Sequence, residues 1–402
     1  LGLQARFIIV RDIGEAKRLL ALHRAHMAAT LPIDRHSRLR FSLPLREVGK
    51  VIVAHEDTLG PVDMADLAGR SVAVVAGSPL ATDLGALPTP PAVVEVKGVN
   101  EAALLADVAA RRLSLVAVHE ISVDLANNIY PELSVRLRLP GKIGLGWAFS
   151  GDADDAAADT LRLQADAFIA QARKSGLLDR LYDRYFGHIK RIDSGGIAQF
   201  IEDTRNLLPG LQRHFHAAQD ATGIDWRLLA ALAYQESHWD PLATSPTNVR
   251  GIMMLTEETA DHLGVENRLD PASSIRAGAH YLAQLSDQLP DTARQPDRFW
   301  LALAAYNLGM GHFHGAQAIA RGMQRDPDSW YDMKQVLPRL SRPEVYARLK
   351  SGPARGGEAV ILVENVRTYY EILKHLEPER NALLPTPVTP RSPQKAGQVR
   401  LR

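Results

Sequence analysis

Hydrophobic and polar positions follow two different periods along the chain. In the first half, short β-rich apolar runs alternate with segments of helical spacing. Strands are predicted at 5–10, 48–55, 71–76 and 113–118, and helices at 13–29, 102–112, 156–175 and 177–186. Strands separated by helices predict an α/β domain with a largely parallel sheet.

The second half lacks these β-rich runs. Helices are predicted at 200–207, 211–222, 226–237, 257–263, 271–289, 296–309, 314–323, 333–337, 343–350 and 359–376. The change of pattern predicts an α/β domain over 1–190, a linker over 191–205 with a flexible joint at 193–196, and a mainly α domain over 206–380. The proline-rich, basic segment 381–402 is predicted to be a disordered tail.

Composition narrows the chemistry. The 402 residues suit two or three domains, and 47 basic against 46 acidic residues give a net charge of +1, which argues against a nucleic-acid partner. Cysteine is absent, so cysteine nucleophiles, zinc-thiolate sites and iron–sulfur clusters are excluded. No apolar run is long enough for a membrane span, and the N-terminal residues lack the basic-then-apolar pattern of a signal peptide. Because the chain begins with Leu1 and not with Met, we expect a fragment or a processed form.

One carboxyl group stands out in the second half. The predicted helix 226–237 is apolar on almost every side, with Asp225 as its N-cap, and Pro241 ends the segment. Glu236 therefore falls at the C-terminal end of a buried helix, where the helix dipole and desolvation raise the pKa of a carboxyl group. A carboxyl that is protonated near neutral pH suits a general acid. A glutamate at a helix end is more often just an exposed charge. The residues around Glu236 must therefore show whether it has a catalytic role.

Two downstream segments supply such neighbours. Residues 251–256 place Met253 and Met254 in a short apolar turn, and residues 305–312 place Tyr306 and Asn307 beside two glycines. Methionines more often fill cores than contact ligands, and an asparagine at a helix end is often a cap. Taken singly, both segments allow either reading.

The order of three motifs is specific. Glu-Ser-His-Trp-Asp-Pro, Gly-Ile-Met-Met-Leu-Thr and Ala-Tyr-Asn-Leu-Gly-Met-Gly-His resemble the soluble-lytic-transglycosylase-type domain, which is similar to goose-type lysozyme. The Met-Met form resembles the branch called membrane-bound lytic murein transglycosylase F. The segment 364–370 resembles the last motif of the family, a glutamate followed by a tyrosine that lines the site, with Tyr369 preferred over Tyr370 although the register leaves both open.

The resemblance implies a peptidoglycan lytic transglycosylase without cofactor or metal. It implies that Glu236 is the catalytic acid and base, acting between N-acetylmuramic acid and N-acetylglucosamine, and that peptidoglycan strands are the partner. It implies a substrate groove lined by Ser237, Met253, Met254, Tyr306, Asn307 and Tyr369. It also implies a periplasmic enzyme, peripherally attached to the outer membrane.

A single carboxyl group suffices for this reaction. Ordinary glycosidases use two carboxylates, but Asp240 precedes Pro241 and is expected to be a turn residue. In the family reaction, the sugar's own 6-hydroxyl attacks the anomeric carbon and forms a 1,6-anhydro ring.

The first half carries a second resemblance. Residues 39–44 and 66–78 are similar to extracellular solute-binding proteins of the amino-acid type, which have two α/β lobes around a ligand cleft. This implies a receptor-like domain that lacks the start of its first lobe. Gly77, Ser78 and Arg35 are the candidate cleft residues, because free amides after a strand and an arginine can receive the carboxylate of an amino acid or a cell-wall peptide. An ordinary strand-to-helix turn would also explain Gly77 and Ser78, and Arg38 and Arg40 leave the register of the arginine open.

Two alternatives stay open at this point. The chain could be a catalytically inactive protein that binds cell-wall fragments, or a hydrolase of lysozyme type. A murein zymogram separates the first from the main prediction. The masses of the products, which differ by one water, separate the second.

Overall fold

The computed structural model describes residues 5–152, 155–189, 191–347 and 349–380. The described chain divides into two compact units. Unit 1 holds the described residues up to Gly210 together with Tyr281–Tyr369, and unit 2 holds Leu211–His280 and the described residues from Tyr370 onwards. The predicted tail lies outside the described residues.

One seven-stranded sheet organises the first part of unit 1. Its strands are β1 (Ala28–Pro32), β2 (Arg40–Phe41), β3 (Arg46–His55), β4 (Ser71–Val75), β5 (Ala92–Val96), β6 (Val116–His119) and β7 (Leu133–Phe149). The strand order is β1-β7-β3-β6-β4-β5, and β2 also pairs with β7. The α/β prediction for this part is confirmed.

The prediction of a largely parallel sheet is wrong. Only β4 pairs in parallel, with β5 and β6, whereas β3 pairs antiparallel with both β6 and β7. The difference comes from β7, a 17-residue strand that runs along β3 and whose register shifts between Gly49 and Lys50. Antiparallel pairing places β7 beside β3 without a crossover helix.

Six helices accompany the sheet: α1 (Ile13–Ala21), α2 (Pro79–Gly85), α3 (Glu101–Ala109), α4 (Glu120–Ala126), α5 (Ala156–Lys174) and α6 (Leu177–Phe186). Successive side chains of a strand point to opposite faces, and both faces of the central strands are buried. Val51 and Val53 of β3 pack in the cluster that contains α3 residues, while Ile52 and Ala54 pack in the cluster that contains Leu80 and Leu84 of α2. The core of this part therefore lies in two layers.

Three local predictions fail near the start of the chain and at the joint. Residues 5–10 form no strand, and Phe7 and Ile9 are 90% and 98% exposed, because no described neighbouring strand pairs with them. The helix predicted at 13–29 ends at Ala21, and β1 follows. At the predicted flexible joint, Asp193 caps a helix by accepting a hydrogen bond from the backbone N–H of Gly196 (2.8 Å), so most of the predicted linker is helical.

The rest of the described chain is helical, which confirms the mainly α prediction. The helices are α7 (Ser194–Asn206), α8 (Leu208–Thr222), α9 (Trp226–Ser237), α10 (Glu257–His262), α11 (Pro271–Asp287), α12 (Asp297–Leu308), α13 (Met310–Gly322), α14 (Trp330–Val336), α15 (Pro343–Tyr346) and α16 (Gly356–Leu376). Within the described residues, no helix combines the length and apolar character needed to cross a bilayer.

Candidate active site

Helix α9 of unit 2 presents Glu236 at its C-terminal end. Asp225 caps the other end, where its carboxylate accepts a hydrogen bond from the backbone N–H of Arg227 (2.9 Å). Every residue from Trp226 to Tyr234 is buried, so α9 is a core helix as the sequence predicts. Glu236 itself is half-buried, and burial raises the pKa of its carboxyl group to about 8. At pH 7 this carboxyl group therefore holds a proton.

Two aromatic residues after Glu236 fix the end of α9. His238 and Trp239 both adopt left-handed backbone conformations, with φ of 52° and 62°. The ring of Tyr234 contacts both, stacked on His238 and edge-on to Trp239. Trp239 is 2% exposed, and its Nε1–H donates to the carbonyl of Ala230 (2.8 Å). The chain thus folds back onto α9 directly after the candidate acid, which residue types alone did not indicate.

The segment 244–256, which we call the methionine loop, contacts the end of α9. The hydroxyl of Ser237 donates to the carbonyl of Ile252 (2.8 Å) and to that of Ala233 (3.1 Å). Ser237 and the loop are therefore in contact. Because the Ser237 hydroxyl already donates its proton to backbone carbonyls, it cannot also donate to a substrate in this conformation. Its lone pairs are left as the polar feature for a substrate.

The expectation that Met253 lines the groove is wrong for this conformation. Its side chain is completely buried and packs so closely on Gly278 that a Cβ at that glycine would lie 2.7 Å from the Met253 methyl group. Met253 is a core residue, the more common role of methionine. Met254 is half-buried, with φ of 47°. Of the two methionines, it therefore remains the candidate for a residue that lines the groove.

Asp240 is a turn residue, as predicted. Its backbone N–H donates to the carbonyl of Ser237 (3.0 Å), and its carboxylate accepts from the backbone N–H of Leu242 (2.8 Å). This hydrogen bonding closes the turn ahead of Pro241. The carboxylate is occupied by its own loop and is a poor candidate for a second catalytic carboxylate.

Tyr306 and Asn307 belong to unit 1, on the last turn of α12. The Tyr306 ring packs on that of Tyr281 with centroids 5.3 Å apart, and Asn307 is exposed. The helix ends at Gly309, whose φ of 78° is a conformation that favours glycine and whose N–H donates to the carbonyl of Ala305. An exposed amide at a fixed helix end is available to a ligand.

The last motif has a structural glutamate. Glu364 is fully buried, where it accepts hydrogen bonds from the indole N–H of Trp330 (2.6 Å) and from Arg367 (2.8 Å). Burial alone would raise the pKa of this carboxyl group, but the charges of Arg367 and Lys334 and these hydrogen bonds hold it below its usual value. Glu364 therefore acts as a buried anion within unit 1.

The two tyrosines of that motif differ in their surroundings. The hydroxyl of Tyr370 donates to the Asp225 carboxylate (2.9 Å), which lies about 16 Å from Glu236 along α9, at a rise of 1.5 Å per residue. Tyr370 is thus tied to the wrong end of α9 for catalysis. Tyr369 is 6% exposed and packs on Phe200 with ring centroids 4.4 Å apart, and burial raises its pKa to about 12.

None of the candidate receptor residues Arg35, Gly77 and Ser78 lines the cavity of about 330 Å³ found among the described residues of unit 1. The N–H of Gly77, expected to receive a ligand carboxylate, donates to the Glu95 carboxylate instead (2.8 Å), and the hydroxyl of Ser78 caps α2. Arg35 is exposed. The amide of Gly77 is thus occupied by a carboxylate of the chain itself, and the hydroxyl of Ser78 is occupied by its own helix. The prediction that these residues form a ligand cleft is corrected accordingly.

A cavity of about 330 Å³ in unit 1 lies beside other residues. Its polar lining includes Asp12, Asn100, Glu101 and His119. Glu101 pairs with the Nδ1 atom of His119 (2.6 Å) and accepts a hydrogen bond from Ser122 (2.5 Å). The Nε2 atom of His119 is buried and has no hydrogen-bond partner within the described part of the chain. Sequence reasoning missed this group, since its members lie in three separate segments.

Comparison with known proteins identifies relatives over most of the chain. The family model described as the transglycosylase SLT domain matches residues 213–328. Curated relatives named membrane-bound lytic murein transglycosylase F include that of Methylobacillus flagellatus, which is 40% identical over 95% of this chain and 81% of its own length. That of Nitrosospira multiformis is 42% identical over 94% of this chain and 79% of its own length. That of Thiobacillus denitrificans is 45% identical over 81% and 69%.

Two of the solved structures that resemble the chain each cover less than half of its length. A mutant of ArgBP from T. maritima is 18% identical with a TM-score of 0.39, covering 45% of this chain and 77% of its own. A substrate-binding protein of an amino acid ABC transporter is 17% identical with a TM-score of 0.38, covering 44% and 77%. At TM-scores this low, the ligand of either protein says nothing about the ligand of this chain.

Proposed function

Since the chain belongs to the membrane-bound lytic murein transglycosylase F family, we propose that Glu236 is the acid and base of a peptidoglycan lytic transglycosylase. The chain is an enzyme, and peptidoglycan is its substrate. One observation supports the role of Glu236 above the others: its half-buried carboxyl group has a pKa of about 8. A general acid with a pKa close to the working pH is protonated before the reaction and can still give up its proton.

The proposed reaction uses the Glu236 carboxyl group twice, first as an acid and then as a base. Glu236 donates its proton to the glycosidic oxygen between N-acetylmuramic acid and N-acetylglucosamine, and the bond from this oxygen to the anomeric carbon breaks. The N-acetyl group of the muramic acid helps to stabilise the positive anomeric carbon. The 6-hydroxyl oxygen of the same sugar then bonds to that carbon, and the Glu236 carboxylate takes the hydroxyl proton. The carboxyl group ends protonated, no water is consumed, and a 1,6-anhydro end forms.

The substrate contacts are part of the proposal. Ser237 directly follows Glu236 and contacts the methionine loop, which contains Met254. Tyr306 and Asn307 lie in the last turn of α12. We propose that these four residues contact the substrate. We assign Asn307 to hydrogen bonding with the sugar because its amide is exposed. Tyr369 is kept as a lining residue because 6% of its surface is exposed, whereas Met253 is dropped because it is completely buried.

The reaction type separates this proposal from a lysozyme-type hydrolase. A hydrolase needs a positioned water and usually a second carboxylate. Asp240 is the acidic residue that follows Glu236 in the chain, and its own turn occupies it. This favours internal attack by the 6-hydroxyl.

The test is product analysis of purified murein treated with wild-type protein and with Glu236→Gln. We expect the wild-type protein to release anhydro-muropeptides, and the variant to lose at least about 100-fold in rate, since general acid–base assistance contributes that much or more. Asp240→Asn is the matched control and should keep close to full activity. Anhydro products from Glu236→Gln at the wild-type rate would overturn the assignment, and reducing ends from the wild-type protein would indicate a hydrolase.

A second part of the proposal concerns residues 1–190, proposed as a receptor-like domain beside a catalytic domain over 206–380. We propose that the cavity at Glu101 and His119 takes its ligand, an amino acid or a cell-wall peptide. The half-buried carboxylate of Glu101 suits the ammonium group of such a ligand, and the buried Nε2 atom of His119, which has no hydrogen-bond partner among the described residues, supplies a further hydrogen bond.

Titration calorimetry of the full chain with amino acids and short murein peptides tests this ligand. We expect Glu101→Gln to weaken binding by about tenfold or more, because hydrogen bonds to charged groups contribute about 1.5–3 kcal/mol. Glu95→Gln is the control and should bind as the wild type does. Equal binding by Glu101→Gln would place the ligand elsewhere.

For location, we propose the periplasm, with peripheral attachment to the outer membrane. The support is the substrate, which is the cell-wall polymer, and the relatives, which are named membrane-bound. Recovery of the native protein in the cytosolic fraction of lysed cells would contradict this location.

A further inference from the structure

The methionine loop needs support from outside itself. Its internal backbone hydrogen bonds form two isolated bridges, Thr244 with Arg250 and Arg250 with Leu255, and short turns such as that of Met254 on Gly251, but no regular helix or strand. Asn248 and Met254 adopt left-handed conformations with φ of 62° and 47°. Asparagine tolerates this region, but it is unfavourable for methionine. Strained conformations of this kind persist only where surrounding contacts fix them.

Arg268 supplies such contacts from both its side chain and its backbone. Its Nη1 donates hydrogen bonds to the carbonyl oxygens of Asn248 (2.7 Å) and Leu255 (3.1 Å), which are near opposite ends of the loop. Its own carbonyl oxygen lies where a side chain at Gly251 would be, 1.8 Å from the Cβ position. Only glycine therefore fits at position 251, where φ is 80°.

The loop in turn contacts the end of α9 beside the candidate acid. The Ser237 hydroxyl donates to the carbonyl of Ile252, and Ser237 is the residue next to Glu236. A chain of contacts thus runs from Arg268 through the methionine loop to the end of α9. All of these residues belong to unit 2.

We infer that Arg268 is a positioning residue for the reaction, which holds the methionine loop in place beside Glu236. It lies in none of the three sequence motifs, and it acts through the loop without being a catalytic residue itself. A guanidinium group suits this task because its fixed fork donates several hydrogen bonds at once and stays charged. The inference rests on the proposed role of Glu236.

Two measurements on Arg268→Ala test it: the rate of anhydro-muropeptide release, and amide hydrogen exchange over residues 250–255. We expect a loss of about 100-fold in rate, as for a reacting group misplaced by about 1 Å. We also expect exchange to be about tenfold faster, because the amides of Arg250 and Leu255 lose their fixed partners. Arg268→Lys can replace only part of the fork and should recover part of both properties.

Arg276→Ala is the matched control, an exposed arginine of α11 in the same unit, and should change neither property. Unchanged exchange in Arg268→Ala, or faster exchange with full activity, would overturn the inference. If Arg268→Ala fails to fold, Arg268→Lys decides: activity within twofold of wild type overturns the inference, and a loss above threefold with faster exchange supports it. Failure of the Glu236 proposal is seen separately, as full activity of Glu236→Gln.

Discussion

At the scale of single residues, the carboxyl group of Glu236 shows how position within the fold alters ordinary chemistry. Its usual pKa is near 4.5, and burial alone raises it to about 8. The same burial opposes folding once the group must ionise. A residue suited to general acid catalysis is thus expected to reduce stability at alkaline pH.

Replacement of this group should therefore stabilise the protein in a pH-dependent way. Between pH 4.5 and 8, the folded protein keeps a proton that the unfolded chain releases, so wild-type stability falls as pH rises through this window. Glu236→Gln does not titrate, and we expect it to be more stable than wild type by roughly 4–5 kcal/mol at pH 8.5, with no such gain at pH 4. Urea unfolding at the two pH values measures this.

The control for this comparison is Glu258→Gln, an exposed acid in the first turn of α10. Its effect should stay within about 0.5 kcal/mol at both pH values. The same stability difference for Glu236→Gln at pH 4 and pH 8.5 would show that the Glu236 carboxyl group titrates normally.

At the scale of elements, local sequence signals such as caps and prolines predict the bounds of helices better than those of strands. The ends of α9 are predicted correctly because Asp225 is a good cap and Pro241 follows, and α6 is likewise predicted over its full length. Strand β7 was missed, although Leu133, Val135, Leu137 and Leu139 alternate with polar residues, because Pro140 and Gly141 interrupt the pattern. Its pairing with β3 makes the sheet mostly antiparallel, and pairing partners are a non-local property.

At the scale of the whole molecule, a buried ion cluster joins distant parts of the sequence within unit 1. Arg367 of α16 pairs with Glu364 and donates to the carbonyls of Asp183 (3.1 Å) and Arg184 (2.8 Å), near the end of α6. Lys334 of α14 contacts the carboxylates of both Asp183 and Glu364. The C-terminal carbonyls of α6 are thereby satisfied by a helix that lies about 180 positions later in the chain.

Removal of Arg367, the central cation of this cluster, should lower the stability of the protein. Arg367→Ala leaves the fully buried Glu364 without its main partner, and we expect a loss of about 3–5 kcal/mol in the free energy of unfolding, measured by urea denaturation. Arg355→Ala, which breaks an exposed pair with Glu358, should cost less than about 1 kcal/mol. Equal effects of the two substitutions would mean that the cluster contributes nothing beyond a surface ion pair.

The sequence by itself determined the class of each half, most helices and the identity of the candidate acid. These depend on local patterns: apolar periodicity, caps, and short motifs in a fixed order. The burial of Glu236 was also predictable, since α9 is apolar on almost every side.

Only the tertiary structure decided which of the other candidate residues are free to act. Met253 is buried in the core, and the amide of Gly77 donates a hydrogen bond to Glu95. The hydroxyl of Tyr370 donates to Asp225, and Arg268 donates to the methionine loop. Each of these outcomes depends on a partner that lies elsewhere in the chain or on how tightly a site is packed. The burial of these residues and their hydrogen-bond partners depend on contacts between distant segments, which residue type and spacing alone do not specify.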